Sequence, residues 1–346
     1  MKFSTQLLKW WDQHGRKDLP WQHPRTAYRV WVSEIMLQQT QVKTVIPYFD
    51  RFIDRFPDIQ SLAAASNDDV LAYWSGLGYY ARARNLLKTA KICMAQHNGD
   101  LPRTPAALNA LPGIGESTAN AIYSQAFDKP AVILDGNVKR VLTRYFAVAG
   151  WPGKSSIHKQ LWDMAGQLLP VKRGADYTQA IMDLGATLCT RSNPLCDQCP
   201  VKRSCKALST DTVDQFPTRR PSKKVRKMSF QMLILTDGKG NVMLERRPPA
   251  GIWGGLWSLP ADDQGTSIKQ RWGLSDQTLK PFETLKHQLT HIEMTIQPLI
   301  GHTEMLASGV ECSSDQRWFS PQEWPALGLP KPVRHLLETY LENEGK

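Results

Sequence analysis

The sequence predicts a multidomain chain in which a long all-α region precedes a smaller α+β domain. Three observations support this prediction. The 346 residues suffice for two domains of ordinary size, apolar residues repeat at helical spacing through the first part, and alternating strand patterns appear only after a basic, proline-punctuated segment. We place the helical region at 1–208, a linker at 209–227 and the α+β domain at 228–346.

Helix-end signals and apolar faces predict the elements of the first region. Ser4 is expected to cap the first helix and Gly15 to close it. Thr104 followed by Pro105 predicts the start of a short helix over AALNAL. Further helical segments are TAYRVWVSEIMLQQT, DDVLAYWSG, YARARNLLKTAKICMAQ and STANAIYSQAF.

The pattern changes after the linker. FQMLILT and VMLERR flank the turn signal DGKGN, which predicts a hairpin, and HIEMTI alternates polar with apolar residues as a half-buried strand does. Helices are predicted over SIKQRW and VRHLLETYLEN.

Charge is distributed unevenly along the chain. Residues 1–208 hold 26 Lys and Arg against 16 Asp and Glu, residues 209–227 hold 6 against 2, and residues 228–346 hold 11 against 14. The basic excess therefore lies in the helical region and linker, as expected of a part that meets a polyanion such as DNA. Solubility alone could also favour net charge.

No segment of the sequence predicts a membrane span or a secretory signal. A span needs roughly 18 uninterrupted apolar residues, and the start, MKFSTQLLKWWDQHG, lacks the apolar block and small-residue cleavage site of a signal peptide. We expect a cytoplasmic protein without membrane contact.

The segment LPGIGESTANAI joins two predicted helices through a turn that contains Gly113 and Gly115. Glycines let backbone amides approach a partner closely, and amides at a helix start can bind an anion. This segment, within about residues 105–125, is similar to a helix-hairpin-helix that grips DNA phosphates. A plain tight helix-helix turn is the alternative.

The segment ILDGN places Asp135 and Asn137 before another predicted helix. Either side chain could cap that helix. A hairpin followed by a Gly/Pro-containing loop and an Asp resembles the DNA glycosylase superfamily that includes endonuclease III. The resemblance implies that Asp135 is a catalytic carboxylate, which stabilises a cation-like sugar. Cap and catalyst would then be neighbours, with Asn137 capping the helix and Asp135 facing the sugar.

Four cysteines with the spacing C-x6-C-x2-C-x5-C indicate a metal site rather than disulfides in a cytosolic chain. The general frequency of metal sites favours zinc. The spacing of the segment 189–205, however, closely resembles the [4Fe-4S] loop of the same superfamily, which implies a cluster, with zinc as the alternative. The four residues are Cys189, Cys196, Cys199 and Cys205. Cys93 and Cys312 are read as ordinary thiols.

Ser117 and Glu34 narrow the class of glycosylase. Bifunctional relatives carry a lysine where this chain has Ser117, and serine cannot form their Schiff base, so hydrolysis by water is expected. Glu34 lies among apolar residues that favour its neutral form, although an exposed helix face is the alternative. The stretches VWVSEIMLQQTQV, GLGYYARARN and LDGNVKR closely resemble the MutY family of adenine DNA glycosylases.

That resemblance implies roles for further residues. Glu34 would protonate the extruded adenine and later help to activate water. Gln38, Gln39 and Tyr79 would enter the duplex as a wedge. Trp21, Leu37 and Gln179 would form the adenine pocket, although Trp21 and Leu37 could be plain core residues. The residues expected at the DNA backbone are Gly113, Gly115, Ser117, Asn137, Lys139 and Arg140.

The α+β domain is similar to the Nudix hydrolases of the MutT type. GIWGGLWSLP is not followed by their glutamate series, since residues 261–275 offer only Asp262 and Asp263. Pyrophosphatase activity is therefore not expected. KHQLTHIEM resembles the loop with which MutY enzymes recognise 8-oxoguanine, and the residues expected to do so here are His287, Thr290 and His291.

The sequence thus predicts a monofunctional base excision repair enzyme that removes adenine opposite 8-oxoguanine or guanine in double-stranded DNA, acting as a monomer near the nucleoid. A bifunctional glycosylase-lyase and a non-catalytic DNA-binding module are the rival hypotheses.

Overall fold

The structure is a computed structural model that divides into two compact units, Met1–Ala64 with Asn85–Pro221, and Ala65–Arg84 with Ser222–Lys346. The domain limits predicted from the sequence remain a prediction, because the contacts group Ala65–Arg84 with the C-terminal residues. The residues described are 1–221, 225–237, 239–262, 267–274, 279–289, 291–302 and 315–344.

Helices account for nearly all regular structure before residue 226, which confirms the all-α prediction for that region. No helix in the described ranges is long and apolar enough to span a membrane. The α-helices are α1 (Phe3–His14), α2 (Ala27–Leu37), α3 (Val42–Arg55), α4 (Ile59–Ala64), α5 (Asn67–Trp74), α6 (Ala81–Gln96), α7 (Pro105–Asn109), α8 (Glu116–Phe127), α9 (Gly136–Phe146), α10 (Ser155–Gln167), α11 (Gly174–Asp183), α12 (Lys206–Ser209), α13 (Ile268–Trp272) and α14 (Lys331–Glu344).

Of the two helix caps predicted from the side chains of Ser4 and Thr104, one is confirmed and one is wrong. Thr104 accepts a hydrogen bond from the Ala107 amide and caps α7, as expected. The cap predicted at Ser4 is wrong: α1 begins at Phe3, and Ser4 is buried inside its first turn.

Packing of four helices positions the functional residues of the first unit. Helix α8 lies between α2 and α11, and α11 also contacts α9. Helices α8, α9 and α11 join one core cluster with α1 and α10, in which Leu142 of α9 and Leu161 of α10 are fully buried. This core fixes the start of α8 and the start of α9, where the side chains of interest lie.

The second unit contains a mixed sheet of seven strands among the described residues, which confirms the α+β prediction. Strand order is β3-β2-β1-β6-β4, with β5 paired to β6 and β7 paired to β2. β1 and β6 are parallel, while β1 and β2 form the predicted antiparallel hairpin. The strands are β1 (Arg226–Thr236), β2 (Val242–Arg246), β3 (Trp257–Ser258), β4 (Lys280–Pro281), β5 (Leu285–Leu289), β6 (Ile292–His302) and β7 (Gln316–Phe319).

Helix α5 packs within this second unit. The guanidinium of Arg246 forms a two-pronged ion pair with Asp68, with N–O distances of 2.5 and 2.7 Å. Trp257 donates a third hydrogen bond to the same carboxylate at 3.4 Å. Gly328 lies so close to Leu71 that an added Cβ would meet the Leu71 side chain at 2.9 Å. These contacts explain why residues far apart in the chain form one unit.

Candidate active site

One cavity of about 860 Å³ lies in the first unit, beside the end of α2 and the starts of α8 and α9. Its size suits a bound small molecule or an extruded nucleotide. Of the residues predicted from the sequence, those that line it are Trp21, Glu34, Leu37, Gln38, Gln39, Ser117, Asp135, Asn137, Arg140 and Gln179.

Glu34 lies in the last turn of α2, and its carboxyl is enclosed by protein except towards the cavity. Gln125 Nε2 donates a hydrogen bond to Glu34 Oε1 at 2.7 Å. Burial raises the pKa of Glu34 to about 7; the Gln125 hydrogen bond opposes this shift and the negative charge of Asp135 adds to it. The expectation that the neutral form is favoured here agrees with this environment.

Asp135 stands at the N-terminal boundary of α9. Its Oδ1 accepts a hydrogen bond from the Val138 backbone amide at 2.7 Å, and its Oδ2 accepts one from the side-chain Nδ2 of Asn137 at 3.4 Å. Burial raises the pKa of Asp135, while the Val138 amide and the charge of Arg140 oppose that rise. The carboxylate thus both caps the helix and lines the cavity.

The prediction that Asn137 caps α9 is wrong. Asn137 is the second residue of the helix, so the free amides of the first turn lie beside Asp135 instead. Asn137 Oδ1 accepts a hydrogen bond from Arg140 at 2.8 Å. Asn137 therefore connects Asp135 to Arg140.

Arg140 uses its guanidinium inside the protein. Its Nε donates to the carbonyl oxygen of Cys189 and its Nη2 to the carbonyl oxygen of Gly185, both at 2.7 Å. Arg140 also lines the cavity, and its contact with DNA phosphates, the role expected from the sequence, stays a prediction. The neighbouring Lys139 is half-buried, and burial lowers its pKa.

The hairpin before α8 has one glycine that the backbone requires. Gly113 adopts φ +79°, and a Cβ there would meet Asn85 at 2.8 Å. Gly115 caps α8 in an extended conformation, and a Cβ there would meet nothing within 4 Å. Gly115 is therefore open to close approach by a partner. In the first turn of α8, Ser117 accepts a hydrogen bond at 2.9 Å from the amide of Leu134, the residue directly before Asp135.

Gln179 lies on the cavity in a fixed orientation. Its Nε2 donates to Asp183 Oδ1 at 2.8 Å, so the carbonyl oxygen is the end of the amide left for a ligand. Asp183 is almost fully buried and also accepts hydrogen bonds from the Arg16 side chain and from Trp11. Arg16 forms an ion pair of 2.6 Å with Asp183 and so fixes the carboxylate that orients the Gln179 amide.

Trp21 belongs to both the core and the cavity wall. Its ring is 2% exposed and packs edge-on against Phe49 at a centroid distance of 5.4 Å. The two interpretations offered by the sequence are therefore compatible. Leu37, at the end of α2, is half-buried and also lines the cavity.

Two residues of the predicted wedge have left-handed backbone conformations. Gln39 has φ 59° and lines the cavity of the first unit; Tyr79 has φ 50° and belongs to the second unit. Such angles are uncommon in residues other than glycine and concentrate at functional sites. The Tyr79 side chain is 44% exposed, and the Arg82 guanidinium lies 5.5 Å from its ring centre.

The four cysteines of segment 189–205 line one small, separate cavity together with Arg144. Burial raises the pKa of three of these thiols, to about 11 at Cys199, and their charges influence one another. Arg144 is buried and donates to Cys189 Sγ at 3.4 Å. Converging thiols with nearby donors suit a thiolate-held group, although no group of three His, Cys, Asp or Glu in the described ranges is arranged to hold a metal ion.

Of the predicted lesion-recognition residues, His287 lies in β5 and His291 directly before β6. His287 is half-buried, and its ring centre lies 6.2 Å from that of Trp253. Burial and the charge of Lys331 lower the pKa of His287, which favours the neutral imidazole. His291 is exposed in the turn, while Thr290 lies outside the described residues.

Sequence analysis missed Gln125, Arg16 and Asp183. A signal for the first was present: Ser117, Ala121 and Gln125 recur at intervals of four residues on one face of α8, and Ala121 also lines the cavity. No local pattern links Arg16 to Asp183, which lies 167 positions away.

We expect Glu34→Gln to make the protein more stable at high pH. The pKa of Glu34 in the folded protein, about 7, exceeds its ordinary value of 4.5. Its stabilising contribution is therefore complete below the ordinary value and is lost as pH rises through about 7. Thermal unfolding should show a higher midpoint for the variant at about pH 8.5 and a near-equal one at about pH 5. Glu338→Gln, at an exposed carboxyl of α14, is the control; equal midpoints at both pH values would contradict the burial effect.

Family models match both parts of the chain. Residues 32–167 match the HhH-GPD superfamily of base excision DNA repair proteins, and residues 231–339 match the NUDIX domain. Among solved structures, a thermostable thymine-DNA glycosylase has a TM-score of 0.55 at 28% identity, covering 60% of this chain and 95% of its own. A non-covalent endonuclease III–DNA complex, at 21% identity with a TM-score of 0.52, shares the fold over 60% of this chain and 94% of its own.

Relatives with similar sequences extend over nearly the whole chain. The adenine DNA glycosylase of Buchnera aphidicola subsp. Schizaphis graminum is 37% identical over 98% of both chains. That of Homo sapiens is 32% identical over 98% of this chain and 74% of its own. With its helical region, its mixed-sheet unit and two carboxyl groups on one cavity, this chain belongs to the adenine DNA glycosylase family.

Proposed function

We propose that this glycosylase removes adenine mispaired with 8-oxoguanine or guanine from double-stranded DNA by hydrolysis and leaves an abasic site. The observation that carries the proposal is the common cavity of Glu34 and Asp135, which lie on different helices. A duplex must extrude the nucleotide before such a cavity can reach the bond between base and sugar. The family relationship supports adenine as the base.

Glu34 is the acid of the proposed reaction. With a pKa of about 7, a substantial fraction of its carboxyl is neutral at physiological pH and able to transfer a proton to the extruded base. Protonation makes the base a better leaving group, so the bond to C1′ breaks with its electron pair moving to the base. The carboxylate formed can then accept a proton from the attacking water.

Asp135 stabilises the positive charge that develops on the sugar. Its carboxylate faces the cavity while the Val138 amide holds one of its oxygens. A fixed anion near a developing cation lowers the barrier most when it needs no reorganisation, and the helix start supplies that rigidity. Its hydrogen bonds with the Val138 amide and the Asn137 side chain keep it in place, and the Val138 amide opposes the rise in its pKa that burial causes.

Gln179 supports recognition of adenine. Because Asp183 holds its amide nitrogen, its carbonyl oxygen is the end offered to the base. Adenine carries an exocyclic amino group that can donate to such an oxygen, whereas guanine presents a carbonyl at the same position. The Arg16–Asp183 ion pair keeps the amide in this orientation.

Ser117 supports a monofunctional reaction. Its hydroxyl accepts a hydrogen bond from the Leu134 amide, and no lysine lines the cavity from α8. Strand cleavage through a Schiff base needs an amine at the sugar. Lys43, from α3, is the one lysine among the described residues that line the cavity. The test below therefore includes strand cleavage.

The decisive experiment uses a duplex with adenine opposite 8-oxoguanine, incubated with the protein and analysed with and without hot alkali. Strand breaks that appear only after alkali are expected. Breaks without alkali would indicate a glycosylase-lyase, and no base loss would indicate a non-catalytic DNA-binding module. Glu34→Gln and Asp135→Asn should bind the duplex yet lose about 10²-fold or more of the single-turnover rate, whereas Glu338→Gln should retain it.

We propose that DNA is the partner of this protein, because the helical region is basic and the glycine hairpin offers an open backbone. Gly115 offers an open backbone at the start of α8, suited to a phosphate. The basic excess of residues 1–208 favours the same partner and should make affinity fall as salt rises. We further propose that the protein acts as a monomer in the cytoplasm, at the nucleoid.

The proposed cofactor is a [4Fe-4S] cluster, with zinc as the alternative. The residues that would hold it are Cys189, Cys196, Cys199 and Cys205, and when bound it would cross-link the segment between α11 and α12 through thiolate bonds. Arg144 would donate a hydrogen bond beside the first of these sulfurs.

We expect purified protein to contain about four iron and four acid-labile sulfides per chain, with broad visible absorption that dithionite or acid alters. If the protein instead contains one equivalent of zinc and shows no visible absorption, the metal is zinc and the cluster is excluded. Cys199→Ser should lower the metal content, while Cys93→Ser, at a buried thiol outside this segment, should leave it unchanged.

Recognition of 8-oxoguanine is proposed for the β5–β6 turn. His287 is half-buried beside Trp253 and has its neutral form favoured, so its ring can both donate and accept a hydrogen bond. Thr290 and His291 complete the proposed set.

We expect His287→Ala to lose most of the preference for 8-oxoguanine over guanine opposite adenine. Loss of one or two hydrogen bonds corresponds to about tenfold in discrimination. Single-turnover rates on the two duplexes measure it, with His335→Ala, at an exposed histidine of α14, as the control. An unchanged ratio of the two rates would remove His287 from the lesion-recognition set.

A further inference from the structure

Gln125 is a buried amide that the proposed reaction does not yet use. It lies on α8, is 3% exposed, and donates from Nε2 to Glu34 Oε1 at 2.7 Å. Among the described residues it is the only hydrogen-bond partner of the Glu34 carboxyl. Its own Oε1 is buried without a hydrogen-bond partner in the described part of the chain. A buried amide oxygen without a hydrogen bond costs free energy. The strong hydrogen bond from Nε2 to Glu34 offsets part of that cost.

Helix α8 brings this amide to the site along one face. Ser117, Ala121 and Gln125 follow at intervals of four residues, and the first two line the cavity. Ser117 holds the Leu134 amide, directly before Asp135, and Gln125 holds Glu34. One rigid helix therefore fixes the surroundings of both carboxyl groups.

The two oxygens of Glu34 are made unequal by this contact. The N–H of Gln125 donates to Oε1, and in a neutral carboxyl the carbonyl oxygen accepts a hydrogen bond better than the hydroxyl oxygen does, so the contact favours the form with the proton on Oε2. We propose that Gln125 is a positioning residue for Glu34: by donating to Oε1 it orients the carboxyl and places the transferable proton on Oε2. This inference rests on the proposed role of Glu34 as the acid of the glycosylase reaction.

The same contact sets the pH range of the acid. A donor to the carboxylate stabilises the ionised form and lowers the pKa, against the larger effect of burial. The other ionisable groups on the cavity are Arg16, Lys43, Asp135, Arg140 and Arg191. Of these, Asp135 shifts the pKa of Glu34, and it raises it. Removing Gln125 should therefore raise the pKa of Glu34 further.

The test compares Gln125→Leu with wild-type protein in single-turnover adenine release from about pH 5 to pH 9. We expect the alkaline limb, where Glu34 loses its proton, to move upward by about one pH unit. The maximal rate should fall by about tenfold because the carboxyl is no longer oriented. Ser124→Ala is the matched control: Ser124 is the preceding buried residue of α8 and pairs with Thr178 at 2.8 Å. It should leave the alkaline limb unchanged.

A second readout does not depend on activity. In protein labelled with ¹³C at the glutamate side-chain carboxyls, the signal that titrates near pH 7 and disappears in Glu34→Gln reports on this carboxyl directly. Gln125→Leu should move its midpoint upward. An unchanged midpoint, or one that moves downward as it would if Gln125 accepted the acid proton, overturns the inference. If wild-type protein releases no adenine but the midpoint moves upward, the proposed function fails and the role of Gln125 stands.

Discussion

The site depends on holding two carboxyl groups on one cavity in different electrostatic surroundings. Glu34 stands inside the last turn of α2, where burial dominates and raises its pKa to about 7. Asp135 stands at the first turn of α9, where burial also raises its pKa but the Val138 amide and the charge of Arg140 oppose that rise. A base that leaves as a neutral molecule and a sugar that becomes a cation need one group of each kind. The division of roles follows from the place of each carboxyl along its helix.

Helix α8 connects these surroundings to the part of the fold that faces DNA in the proposed function. Its first turn follows the glycine hairpin and holds the Leu134 amide through Ser117, and its third turn holds Glu34 through Gln125. Because α8 is packed between α2 and α11, these three tasks share one rigid support. A phosphate at the hairpin and a base in the cavity would therefore be positioned by the same element.

Local signals in the sequence were sufficient for the elements and for the residues within motifs. Glu34, Asp135 and the four cysteines were singled out because each lies in a short segment that resembles a family motif, and the structure brings the first two to one cavity and the cysteines to another. Asn137 was assigned the cap wrongly because both it and Asp135 suit that position, and only backbone angles decide between them. The contact of Gln125 with Glu34 spans 91 positions, and the grouping of Ala65–Arg84 with the C-terminal residues also joins distant segments. Such contacts come from tertiary packing, which no local period records.

The cavity also shows where the fold tolerates unfavourable interactions. Glu34 is buried near a second carboxyl, and Gln125 leaves its Oε1 without a partner in the described residues. Two apolar side chains of similar volume would avoid both the desolvation of the carboxyl and the unpaired amide oxygen. Packing alone therefore does not explain why these two polar groups are in contact. Hydrogen bonding gives a partial reason, because each satisfies one atom of the other. The remaining reason is chemical: a carboxyl that must exchange a proton near neutral pH needs burial to raise its pKa and a fixed donor to orient it. Burial supplies the first condition, and the 2.7 Å hydrogen bond from Gln125 supplies the second.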